Sequence, residues 1–438
     1  MQFADVLRQD LFHYYPDTYA ELQATPSLPY GVRTQTDNLS IAALIADGSE
    51  PDMDDLSKKH HSGVVCLDRI TRATLDRLQG LPNLQRIGFT DEKTSVLPRE
   101  ITTLPSLRLL ELNLNRKFKK LHKNLGLAGG LEALLLTNLH NLTDISILAS
   151  LPKLAHIAFY NTIKLEDYTP LQQLPQLRHL ELLSLDLELA APVVGTLTDL
   201  TTLDVKSSAY FERTFAVLIS LIESLPSLTA LGLGSADLSL GTLPPLDHIE
   251  QLNLDGVETY PSGLFAQARS LRSLTMQFYE SDALPQDLGK LASLEALDLS
   301  FAKTLHNDTD FTPLAELVNL QHLDLSQLKV LTRLPDAVGT LSTLRQINLA
   351  GHRLQEISAL RGLPELRCAN LQGVKDEAHL VDVVMSLPAL ERVEVAHSID
   401  IRKLADHPSL KLILGTKPKP ETVADRFDLR HSAAFLRR

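Results

Sequence analysis

Tryptophan is absent from this chain, cysteine occurs twice, and aromatic residues make up only 5% of it. Hydrophobic residues still reach 44%, so the apolar mass falls to Leu, Ala, Val and Ile. That excludes a core hung on a few large aromatic anchors and favours many copies of one small apolar unit. Cys66 and Cys368 lie far apart, with no CxxC or His-rich partner, which excludes a disulfide framework and reads as reduced structural thiols. His60 and His61 are adjacent, a poor spacing for chelating one ion, and read as a solvated turn. Positive charge is also short: 42 Lys and Arg against 54 Asp and Glu give a net charge of -12. Phosphate backbones and anionic membranes are repelled by such a chain, so the expected partner is a neutral or basic protein, with no nucleic acid and no membrane.

Long apolar runs are missing too. Nothing approaches the ~18 to 20 residues that a membrane helix needs, and "MQFADVLRQD" has no basic stretch leading into an apolar one. The expectation is a soluble cytoplasmic monomer; delivery into a host cell without a cleaved signal peptide is compatible with this. Walker-type GxxxxGK[ST], HExxH, GxSxG and strand-to-helix GxGxxG motifs are all absent. The expectation is therefore no enzyme, no cofactor and no metal.

What is there is one pattern, found fifteen times at spacings from 20 to 28. It opens with "LPNLQRIGF" from Leu81, "LPSLRLLEL" from Leu104 and "AGGLEALLL" from Ala128. It continues through units such as "LASLEALDL" from Leu291 and "LVNLQHLDL" from Leu317 to "HPSLKLILG" from His407. One such unit cannot bury its apolar face alone, whereas stacked units join their faces into a continuous core. LxxLxL at this period resembles the leucine-rich repeat superfamily, in particular bacterial intracellular members with mixed internalin-like and plant-like units.

The resemblance implies an α/β solenoid: a horseshoe with a parallel concave sheet, about 15 repeats of mean length near 23, capped at both ends. Residues 61–415 form the repeat domain, 1–60 a helical N-terminal cap, and 416–438 a C-terminal cap or tail with Val423 and Phe427 on one helical face. "SGVVCLD" at 62–68 reads as a degenerate opening strand. Helical spacing predicts true helices at 213–225 and 377–387. Of the turn asparagines that the family uses, only Asn115 is in place. A shifted polar column at Asn138, Asn161, Ser184, Ser207 and Ser235 is expected to satisfy backbone groups instead.

Side chains alternate along a strand, so positions 3, 5 and 7 of each unit face the concave surface. At ~4.8 Å between strands, that surface is on the order of 65 to 70 Å long. In repeats two to five the set includes Leu109, Ala133, Leu135, Ala158, Tyr160 and Leu183, an apolar patch of the kind that marks contact sites. Tyr160 is its expected hot spot. His156 and His179 fall side by side with Glu181 next to His179, which leaves open partner contact, a metal site or ordinary polar surface. Carboxylates meet at Glu181/Asp204 and Asp298/Asp324, and His322 lies beside the latter pair. Like charges across strands are destabilising, easier to understand if a basic partner neutralises them. The basic run Arg116, Lys117, Lys119, Lys120 and Lys123 belongs to the strand edge or convex return.

The expected function is non-enzymatic protein recognition on the concave face, as an effector, an immunity or inhibitor protein, or a scaffold. The alternative is the substrate-recognition part of an enzyme system such as a ubiquitin-ligase-type effector. "CLD" at Cys66–Asp68 matches the CxD of such ligases, but their large helical catalytic domain follows the repeats, and only a short segment follows them here.

Overall fold

In the computed structural model the described residues are Val64–Leu67, Arg86–Phe89 and, with short gaps, 97 to 414. The cap at 1–60 with His60 and His61, the tail at 416–438 with Val423 and Phe427, and Asn115, Arg116, Lys117, Ser184, Ser207 and Ser235 lie outside them.

Each LxxLxL segment contributes one strand, and an opening strand precedes the first. β1 (Val64–Leu67) and β2 (Arg86–Phe89) lead into five strands of five residues: β3 (Leu109–Asn113), β4 (Ala133–Thr137), β5 (His156–Tyr160), β6 (His179–Leu183) and β7 (Thr202–Lys206). Nine strands of three residues follow: β8 (Ala230–Gly232), β9 (Gln251–Asn253), β10 (Ser273–Thr275), β11 (Ala296–Asp298), β12 (His322–Asp324), β13 (Gln346–Asn348), β14 (Cys368–Asn370), β15 (Arg392–Glu394) and β16 (Leu412–Leu414). All sixteen form one parallel sheet in strict sequence order. The leucines of the pattern point to its other side: Leu294, Leu297 and Leu299 of one unit and Leu320, Leu323 and Leu325 of the next are closed from solvent. One continuous apolar core runs from Leu97 to Leu410, each buried leucine contributing about 1.5 to 3 kcal/mol over an exposed one.

The chain returns on the core's far side mostly through 3₁₀ turns such as Lys123–Leu127 and Ser146–Ser150. Helices replace them at α1 (Leu187–Val194), α2 (Phe211–Ser224), α3 (Thr312–Ala315) and α4 (Glu377–Met385). The two helices expected at 213–225 and 377–387 are α2 and α4. α1 was not anticipated, although Asp186 is a capping residue whose Oδ1 accepts the Glu188 N–H at 3.0 Å. Its proline, Pro192, lies late in the helix. No helix among the described residues is long and apolar enough to cross a membrane.

In five of the three-residue strands the third residue helps to end the pairing, although Asp204 holds the same place in five-residue β7. An Asn or Asp there is short enough to accept the backbone N–H two residues on, which turns the chain out of the ladder. Asn253 takes the Asp255 N–H at 2.9 Å, Asp298 that of Ser300 at 2.7 Å, and Asp324 that of Ser326 at 2.7 Å. Asn348 and Asn370 do likewise with Ala350 at 3.1 Å and Gln372 at 3.2 Å. Leu135, Ala158 and Glu181 hold the same place in β4, β5 and β6, and there pairing continues through Thr137, Tyr160 and Leu183.

Three residues after that position the backbone turns left-handed, at Asn138, Asn161, Gly256, Phe278, Phe301, Gln327 and Gly351. The shifted polar column expected from the sequence falls on this position. Its two described members, Asn138 and Asn161, supply a residue that tolerates the conformation, and Asn161 Nδ2 donates to Asn138 Oδ1 at 2.9 Å.

Candidate concave recognition face

The apolar patch needs correction. Leu109, Ala133, Leu135 and Ala158 do come together, but as a closed cluster, with the two leucines 3% exposed. Neighbouring strands pack their side chains shoulder to shoulder, so small and medium residues cover one another. What remains open is the edge of the patch. Tyr160 is 38% exposed, Leu183 is half-buried beside it, and the two are register partners across β5 and β6.

Next to them lies a polar pair. His156 Nε2 meets Glu181 Oε1 at 3.0 Å, so Glu181 serves the histidine of the preceding strand rather than His179, as the sequence suggested. His179 Nδ1 is 2.9 Å from the Thr202 hydroxyl, and the two imidazoles stand 5.6 Å apart. Burial holds both well below the ordinary range, each at about 3. Burial disfavours the charged form of His156, whose Nε2 shares a hydrogen bond with Glu181 Oε1. No cluster of three or more metal-ligating side chains occurs among the described residues. Asp204 is buried and its carboxylate lies over Gly232, where any Cβ would collide with it.

The second carboxylate pair is real in register, Asp298 facing Asp324, yet the two are only 1% and 3% exposed. Asp298 Oδ2 accepts from Gln277 Nε2 at 2.6 Å and Asp324 Oδ2 from Asn348 Nδ2 at 2.8 Å. Burial raises Asp298, and burial with the facing Asp298 pushes Asp324 up to about 8. The pair thus holds a proton far above the usual carboxylate range. Internal amides and this proton answer the like-charge repulsion, and a basic partner is not needed for it. Farther along, Glu394 accepts from Gln372 Nε2 at 2.7 Å and Asn370 Nδ2 at 3.1 Å, and burial still pushes it up to about 7. His322 opens β12, half-buried between Ala296 and Gln346 in register. Cys368 is buried, its thiol pushed up to about 12 by burial, and is chemically quiet.

Lys119, Lys120 and Lys123 are exposed, with the Lys120 backbone paired to that of Asp144 in an isolated parallel bridge and Lys123 opening a return turn. They lie off the concave face, where the sequence placed them. Four residues escaped the sequence reading: Gln277 and Gln372, which latch the carboxylates, and Phe278 and Phe301. The signal available was their common spacing, two or three residues after the strand's third position.

No protein-family model and no curated protein matches the chain. Among solved structures it is similar to an internalin of Listeria monocytogenes, with 18% identity over 87% of this chain and 94% of that one, at a TM-score of 0.33. A leucine-rich repeat protein of Leptospira interrogans has 20% identity over 85% of this chain and 97% of that one, at a TM-score of 0.38. The assignment itself comes from the chain's own repeat period and from a sheet in which every unit adds one parallel strand beside the last: this is a leucine-rich repeat solenoid.

Proposed function

We propose that the solenoid is a non-enzymatic recognition module, monomeric, that holds a neutral or basic protein partner on its concave face around Tyr160 and Leu183. The observation that carries this reading is the exposure of Tyr160, 38%, on a face where the neighbouring apolar side chains are closed. Tyrosine offers a rigid apolar ring with a polar tip, the chemistry that dominates interface hot spots. The buried groups around it, His156 with Glu181 and Leu135 with Ala158, fix the shape of the floor and keep their bonding for one another. An effector, an immunity protein and a scaffold would share this mechanism, and the partner's identity decides among them.

The test is affinity capture with the wild-type chain against a Tyr160→Ala, Leu183→Ser chain, with circular dichroism to verify that both are folded. A partner retained by the wild type and lost by the variant is the expected result. Identical captured sets would remove the concave face from the proposal.

A further inference from the structure

The left-handed column that follows β9 to β13 reads Gly256, Phe278, Phe301, Gln327 and Gly351. Glycine takes this conformation freely, whereas a bulky side chain is a true outlier there. The two phenylalanines accept the strain without the compensation of burial: they are 45% and 37% exposed. They stack on one another, ring centroids 5.0 Å apart and planes 22° from parallel. Strain kept at an exposed place is an observation from which a functional hypothesis properly starts.

Among the described residues, the column positions that flank this exposed two-ring block are Gly256 and Gln327. On one side Gly256 has no side chain to lay against Phe278, and its N–H donates to the Gln277 carbonyl at 2.8 Å, which holds it to the same turn. On the other side the Gln327 amide lies over Gly351, away from Phe301. A carboxylate stands at the Phe278 turn: Asp255 precedes Gly256, and its Oδ1 accepts the N–H of Gln277, the residue before Phe278, at 3.0 Å. The adjoining turns add exposed Glu280 and Asp282 against Lys303, in a chain of net charge -12.

We propose that Phe278 and Phe301 form a platform that captures an arginine side chain of the protein partner, its guanidinium flat on the exposed ring of Phe278 beside Gly256 and donating to Asp255. A planar, weakly hydrated cation suits a ring face next to a carboxylate better than an ammonium does. The inference depends on the recognition reading only for the partner being a protein. It concerns a separate sector, so the two can fail independently.

The experiment titrates N-acetyl-arginine amide into the full chain and follows the phenylalanine ring resonances, assigned with Phe278→Gly and Phe301→Gly. Saturable shifts in the millimolar range are expected, with N-acetyl-citrulline amide, the uncharged isostere, weaker by about fivefold or more. Phe278→Gly abolishes the effect and Asp255→Asn weakens it several-fold. Because glycine relieves the left-handed strain, Phe278→Gly keeps or raises Tm, so loss of binding cannot come from unfolding. Equal response to citrulline or to N-acetyl-leucine amide, or no saturable shift with arginine, overturns the platform. Lost shifts with Tyr160-dependent capture intact would remove the platform alone; the reverse would remove the concave-face reading alone.

Discussion

From β3 to β7 the strands run for five residues, and the concave face closes through methyl and methylene groups in β3 to β5 and through the His156–Glu181 and His179–Thr202 hydrogen bonds toward β7. From β8 to β16 they run for three, and in β11 to β15 the same face closes through a chain of carboxyl and amide groups. The same column of one sheet thus changes chemical character along its length. Where β4 and β5 carry Leu135 and Ala158, β11 to β14 carry Asp or Asn that accepts the backbone N–H two residues on. An apolar floor gives way to one that carries protons.

The largest expected effect strikes the polar arc. Asp298→Lys places an ammonium where the side chain is 1% exposed and takes the acceptor from Gln277 and Ser300, a loss of about 3 to 5 kcal/mol. Asp298→Asn keeps the turn acceptor, removes the repulsion and stays within about 1 kcal/mol. Urea denaturation at neutral pH distinguishes the pair. Equal losses would mean that shape, not charge, governs this arc.

Acid and alkali should separate the arcs next. The His156 and His179 imidazoles protonate near 6.5 when unfolded but only near 3 when folded. In that window the unfolded chain binds more protons, so stability falls as pH falls. Asp324 has the opposite sign: its folded carboxyl titrates at about 8 against 3.8 unfolded, so its contribution is complete below 3.8 and is lost as pH rises toward 8. Glu394 follows the same course between 4.5 and about 7. Stability in a solenoid is a sum of local parts, so hydrogen exchange, corrected for intrinsic rates, should show this locally. The Ile157 and Leu180 amides lose protection in acid, and those of Leu323 and Val393 lose it toward pH 8. Parallel changes in both sets would erase the contrast.

Smaller changes sharpen it. Asn348→Ala removes one turn acceptor and the amide on Asp324 and should cost about 1 to 3 kcal/mol. Asn138→Ala, which puts a Cβ without local hydrogen bonding into left-handed backbone and removes the acceptor of Asn161 Nδ2, should cost about 1 to 3 kcal/mol in the apolar arc, and Asn138→Gly, which loses the same acceptor without the strain, about 1 kcal/mol less. At the bottom of the scale is the rim pair Arg272–Glu295, 2.9 Å at Nε with the arginine half exposed. Arg272→Gln should move the urea midpoint by less than about 1 kcal/mol equivalent.

The leucine period carried the strand positions and their order, because leucines at LxxLxL can satisfy the hydrophobic effect in one way only, facing a stacked neighbour. It carried which residues share the concave column as well, and Asp298 does stand against Asp324. Exposure was not legible: alternation says which way a side chain points, not whether its neighbours cover it, and so Leu109 and Leu135 were taken for open surface. Hydrogen bonds that bridge repeats, such as Gln277 to Asp298, join residues about twenty apart and depend on turn geometry that no single unit displays. The left-handed phenylalanines were invisible for the opposite reason, since residue type there argues against the conformation that the turn imposes.

A sheet in which every strand touches only its predecessor and successor has no closing step. Its length is therefore adjustable by whole units, but the joints are not equivalent. Excising the unit of β13 would bring Asp324 against Asn370, a carboxyl beside an amide as before, and the splice would heal. Excising the unit of β6 would take Glu181 from His156 and set the apolar floor of β5 directly against Asp204. Removing a unit would thus keep a carboxyl–amide contact in the amide-rich arc and break one where the His–Glu pair spans two strands.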